Sequence, residues 1–201
     1  MIDPAQLHCQ RWTKGAMQWR HPDEGGFRAG DYDVVMLPDD TTARAFVELH
    51  HYSHSYPAAK HRFAMVEERT GRLVGVAVLG SGAQDKALTR VYPTLAPGQE
   101  ALELVRFCLL DEVAANAETW FLRRSFGMAA KLGVRGILSF SDPVPRTSLA
   151  GELVFPGHIG LICRRKGAIP LGRARGRLLR VLPDGTVWNE RTRAKAVSGE
   201  K

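Results

Sequence analysis

An α+β fold on a mixed, mostly antiparallel sheet with flanking helices is predicted by three observations. Strand-like runs outnumber helical stripes along the chain. Two of those runs, 62–67 and 72–79, flank Glu68-Arg69-Thr70-Gly71, a turn-rich tetrad of hairpin length. The apolar run 101–110 is followed by one helix and then another strand, and two strands joined that way need a parallel crossover.

The elements follow in order. Residues 1–30 carry scattered Pro and Gly and no sustained period, so they read as an irregular arm. Residues 32–37 (YDVVML) form a strand that Pro38-Asp39-Asp40 stops, with an N-cap for a helix to about His51. In that helix Ala43, Phe46, Val47 and His50 recur at i, i+3, i+4, i+7, a stripe facing the core. Residues 52–61 are too polar for helix, and 80–99, with Pro93 and Pro97, read as a loop. After strand 101–110, Asn116 opens a helix to Leu132, with Phe121, Met128 and Leu132 on one stripe and Leu122, Phe126 and Ala129 widening it; Gly133 is its stop. Strand 134–140 ends at Ser141-Asp142-Pro143, a short helix fits 158–165, and 177–188 reads as a hairpin around Pro183-Asp184-Gly185. One domain is expected over 31–188, with a basic, disordered tail at 189–201.

The 201 residues are 44% hydrophobic and 24% charged, and no window approaches a membrane span. With no apolar leader segment, a soluble protein of the cytoplasm is expected, with no membrane partner. Cys9, Cys108 and Cys163 are too far apart for a zinc knuckle or disulfide framework. The net charge of +7 sits at the C-terminal end: residues 162–201 carry eleven Lys or Arg against Asp184, Glu190 and Glu200. Such a skew suits a polyanion, with a solubilising tail as the bland alternative.

Candidate chemistry falls in a few places. The run from His50 to Tyr56 has imidazoles and hydroxyls suited to proton transfer. His50, on the apolar stripe, reads as a core histidine; His51 and Tyr52 are the better pair. His50 and His54, at i and i+4, are also candidate metal ligands. Asp142, at the tip of a parallel strand, can reach a substrate beyond the sheet, or can simply bond its own backbone before Pro143. Glu103 and Arg106 lie in an apolar strand, where charges need pairing or use; strict alternation puts them on opposite faces, and only a bulge would bring them together. The segment from Phe107 to Phe126 has no glycine, which argues against a nucleotide cradle. Arg164-Arg165-Lys166, then Arg173, Arg175 and Arg177, offer phosphate contacts or a solvated face.

Five motifs together resemble the series of the Mom family of phage DNA-modification proteins. They are His51-Tyr52-Ser53, Glu103-Leu104-x-Arg106, Asn116-x-Glu118-Thr119, Ser139-Phe140-Ser141-Asp142 and Gly157-His158-x-Gly160, within about residues 31–188. The element order is likewise similar to the GNAT acyltransferase fold. The resemblance implies a phage enzyme that transfers an acyl-derived group to the N6 amino group of adenine in double-stranded DNA, shielding it from host restriction. It implies catalytic roles for His51, Tyr52, Asn116, Thr119 and Asp142, and substrate contacts from Ser53, Glu103, Arg106, Ser139, Ser141 and His158. Arg173, Arg175 and Arg177 would hold the DNA backbone around an extruded base. Thr119 stands where a serine is expected and Cys163 where tyrosine is, and the pyrophosphate loop of ordinary GNAT enzymes is missing. A glycyl-tRNA donor suits that gap better than acetyl-CoA. The resemblance leaves iron and a homodimer open. Its rivals are a generic GNAT N-acetyltransferase using acetyl-CoA on a small molecule or protein, and a non-enzymatic nucleic-acid-binding module.

Overall fold

The computed structural model describes residues 9–13, 16–20, 26–82, 85–155, 157–174, 180–183 and 187–188. Strands β1 (Cys9–Thr13) and β2 (Ala16–Arg20) pair antiparallel, so the arm read as irregular holds a hairpin. The chain then enters β3 (Tyr32–Met36) and α1 (Asp40–His50). The Asp39 side chain caps α1, accepting from the Thr41 backbone N–H at 2.8 Å and satisfying one orphan donor of the first turn.

β4 (His61–Glu67) and β5 (Leu73–Gly80) form the expected hairpin. Next comes α2 (Asp85–Val91), inside the stretch read as loop. Leu88 of α2 is buried with Ala101 and Leu138, and Val91, Tyr92 and Leu95 pack against them. β6 (Ala101–Leu109), α3 (Ala117–Lys131) and β7 (Gly136–Leu138) then make the crossover, and β6 and β7 pair in parallel as the connection requires. β7 covers three residues of the expected seven. β8 (Arg146–Thr147) pairs with β9 (Leu153–Phe155), a hairpin the sequence did not announce. α4 (Leu161–Arg165) is followed by β10 (Arg180–Val181), paired antiparallel with β11 (Val187–Trp188) where the last hairpin was expected.

The central sheet runs β3-β4-β5-β6-β7, antiparallel except at β6/β7, with a helix on each face. Ala43, Phe46 and Val47 of α1 bury against Val76, Val78 and Cys108. Ala117, Phe121, Leu122 and Ala129 of α3 bury on the other face with Phe63, Met65, Ala77, Leu79, Leu102 and Leu104. Covered on both sides, β5 is apolar throughout, as a buried central strand must be.

Three local expectations are corrected. His50 is exposed, because α1 ends there and the last turn points past the edge of the core; its ring rests on Phe46 at 4.7 Å. Leu132 lies beyond α3 and is 47% exposed. Asn116 precedes α3 in the left-handed conformation (φ 74°), and its side chain makes no capping bond. No helix among the described residues is long and apolar enough to cross a membrane.

Candidate active site

His51 ends α1, its N–H still bonded to the Val47 carbonyl, and starts a tight turn. The Ser53 backbone N–H donates to His51 Nδ1 at 3.1 Å, and Ser53 Oγ lies 2.8 Å from the same nitrogen. An Nδ1 that accepts from a backbone N–H has no proton of its own, so neutral His51 carries its proton on Nε2 and is a donor there. The ring is only 8% exposed. Burial, with the charges of Arg106, His158 and His54, pushes its pKa down to about 3.

Arg106 fixes the turn that follows. Its Nε donates to the Ser55 carbonyl at 2.8 Å, Nη2 to Ser55 Oγ at 2.8 Å and Nη1 to the Val105 carbonyl at 2.6 Å. Arg106 can reach the turn because β6 bulges: Leu104 faces Leu79 and Arg106 faces Val78, leaving Val105 as the extra residue. Glu103 lies across from Gly80, two residues from Val78, so the bulge brings Glu103 and Arg106 to one face, and each feels the other's charge. Gly82, at φ 77°, packs onto the Glu103 carboxylate so closely that a Cβ there would overlap it. The far end of the turn is held by Asp40, which accepts from Tyr56 Oη at 3.0 Å and Arg62 Nε at 2.5 Å.

Tyr52, between these anchors, joins a column of rings. Its centroid is 4.2 Å from that of His51 and 4.5 Å from that of Phe155 on β9; the Arg146 guanidinium lies over the Phe155 ring at 4.2 Å. His158 closes the side, 6.4 Å from Tyr52 and edge-on to Phe155 at 6.0 Å. Arg146 Nη1 donates to Asp142 Oδ2 at 2.6 Å, while Asp142 Oδ1 accepts from the Val144 N–H at 3.1 Å. Asp142 is thus both the turn residue and part of the cluster. Its carbonyl accepts from the His158 N–H at 2.7 Å, and Gly157, at φ 77°, leaves no room for a Cβ against Pro143.

The electrostatics are those of a partly dried site. Burial raises the Tyr52 phenol and Asp142 adds to the rise, against the lowering charges of Arg106 and Arg146. Burial alone would raise Asp142, but bonds from Arg146 and Val144 and nearby positive charge outweigh it and hold the carboxyl below its ordinary range. His158 is lowered by burial, with Asp142 opposing. Tyr52 is therefore a protonated donor, and Asp142 a charged acceptor with lone pairs to spare after its two bonds.

The structure brings His51, Tyr52, Ser53, Arg106, Asp142 and His158 into this one cluster, with Glu103 beside Arg106. Asn116 and Thr119 sit at the start of α3, where Thr119 Oγ1 donates to the Asn116 carbonyl at 3.1 Å. Ser139 and Ser141 are exposed; Ser139 Oγ receives the Cys163 thiol at 3.6 Å, and Ser141 packs on Gly160. Arg173 is exposed, while Arg175 and Arg177 lie outside the described residues. His54 lies past the helix end at φ 42°, its Nδ1 facing the Glu48 carbonyl at 2.9 Å, so it shares no helical face with His50. No three His, Cys, Asp or Glu side chains converge on a metal site among the described residues. Sequence reasoning missed Phe155 and Arg146. The one local signal was Arg146 four residues after Asp142.

The sequence model of the Mom protein family matches residues 33–148. The chain belongs to the Mom family. The match takes in every cluster residue from His51 to Arg146 and stops short of Phe155 and His158. Family membership supports a phage DNA-modification protein, with DNA as its substrate. No curated protein matches the chain.

Proposed function

We propose that this Mom family member transfers an acyl-derived group to the N6 amino group of adenine in DNA, on a GNAT-like scaffold, and so protects phage DNA from restriction. The observation that carries the reading is the column of His51, Tyr52, Phe155 and Arg146, which draws Tyr52 and Asp142 to a common cluster across 90 residues of chain. The adenine amine is a weak nucleophile, its lone pair being delocalised, so it needs an acceptor and close positioning. It is also buried in the duplex, so the base has to be extruded.

Asp142 accepts a hydrogen bond from the extruded amine and orients it. As the amine nitrogen bonds to the donor's carbonyl carbon, the bond from that carbon to the leaving group breaks. The amine's proton passes to Asp142, and the Tyr52 phenol protonates the leaving group. His51 cannot take that proton, because its Nδ1 lone pair is engaged by the Ser53 N–H and its Nε2 already carries a proton. Its work is to back the Tyr52 ring and present Nε2–H as a neutral donor. Arg106 and Ser53 act through the turn they fix. An aminoacyl donor such as glycyl-tRNA suits the chain better than acetyl-CoA, the loop for whose pyrophosphate is absent. Mass spectrometry of nucleosides from DNA of bacteria expressing the chain tests the reading. A new, heavier deoxyadenosine is expected, its mass increment naming the group; unmodified deoxyadenosine from cells holding folded protein would overturn it.

A further inference from the structure

We propose that the groove between α3 and α4 is a second DNA contact, binding a backbone phosphodiester through Arg123, Arg165 and Lys166; the inference rests on the DNA-modification reading above. The groove is open to solvent, has a volume of about 380 Å³ and is lined by Thr119, Trp120, Arg123, Arg165 and Lys166. Three of its five lining residues are cations.

The helices set the lining. α3 buries Phe121, Leu122, Ser125 and Ala129 against the sheet, which turns Thr119 and Arg123, four residues apart, toward α4. α4 ends on Arg165 and Lys166, and Ile162 and Cys163 pack it into the core. Trp120 is held by Phe27 at 5.5 Å and by the Arg124 guanidinium at 5.6 Å, which fixes an indole beside the cations. Planar guanidiniums match phosphate oxygens, and a flat amphipathic ring beside them suits the sugar of a nucleotide better than a small free anion.

Position favours the substrate strand. α4 follows directly on Gly157-His158-Ile159-Gly160, whose histidine closes the ring column, and its five residues span only ~7.5 Å. Phosphates recur every ~3.4 Å along the axis for each strand, so a strand whose base enters the cluster has neighbouring phosphates within reach of the groove.

The test is fluorescence anisotropy of the full chain on duplex DNA between 50 and 200 mM salt. Each phosphate contact contributes about 0.9 to the slope of log K against log salt, so Arg123→Ala/Lys166→Ala is expected to lower the slope by about 2 and weaken low-salt binding roughly tenfold. Arg69→Ala, in the exposed β4–β5 turn, should keep the wild-type slope. If the double variant fails to fold, Arg123→Gln, on an exposed position, carries the test with an expected loss of about 1. An unchanged slope on duplex DNA would overturn the proposal, as would a loss seen on tRNA alone. The binding slope is read without turnover, so it stands or falls separately from the nucleoside assay.

Discussion

The ring column and the α3–α4 groove lie one short helix apart and treat charge in opposite ways. In the column, Arg146 is spent on Asp142 and on the face of Phe155, Arg106 is tied to Ser55, and His51 is kept neutral by burial. In the groove, Arg123, Arg165 and Lys166 line the same open space. Chemistry on a weak nucleophile needs protons and lone pairs fixed in a dry place, where each interaction is strong and reorganisation small. Holding a polyanion needs solvated charge that releases counterions and can let go. On the proposed reading the chain separates reacting from gripping, so that substitutions in one place should leave the other's signature intact.

The largest break expected is at Phe155. It is buried between Tyr52 and Arg146, so Phe155→Ala should cost about 3–5 kcal/mol of stability, measurable by urea unfolding. It should also abolish modification at temperatures where the variant remains folded. The salt slope of DNA binding in folded protein should stay, since the groove is built from other elements.

The next contrast is in pH. His51 has a folded pKa of about 3 against 6.5 when unfolded, so between those values the unfolded chain binds the extra proton. Its contribution is complete above pH 6.5 and is lost as pH falls toward 3. The full window is worth on the order of 5 kcal/mol, at ~1.4 kcal/mol per pH unit. Denaturation curves at a series of pH values should show this loss, and His51→Gln should flatten it; an equal slope in both proteins would remove His51 from the account. The smallest effect is on α3, behind the groove. Ser125 buries its hydroxyl with no hydrogen-bond partner among the described residues, so Ser125→Ala should raise stability by about 1 kcal/mol while modification and DNA binding hold.

Much of the sheet was legible because its signals are local. The β4–β5 turn residues, the doubly apolar β5 and the helix between β6 and β7 each show in a short window, and Asp39 caps α1 as its type suggests. α2 shows a signal too, since Leu88, Val91, Tyr92 and Leu95 recur at helical spacing, but Pro93 and Pro97 in the same stretch point to loop. The site was legible in its residue types and not in its assembly. The Val105 bulge that sets Glu103 and Arg106 on one face leaves no mark in the alternation. Phe155 and Arg146 become partners only when β8 and β9 fold over the turn after α1, a contact about 100 residues distant in sequence. His50 and His51 differ by a single step where α1 ends, and periodicity, which assumes the helix continues, chose the wrong one for burial.

Whether Tyr52 and Asp142 act as one unit is the central claim, and a double-mutant cycle on the single-turnover modification rate tests it most directly. Tyr52→Phe and Asp142→Asn should each slow the step by roughly 10²–10⁴. Together they should be scarcely slower than the worse of the two, because removing either already disables the pair. Fully multiplicative losses would mean that the two side chains serve separate steps, and would contradict the account.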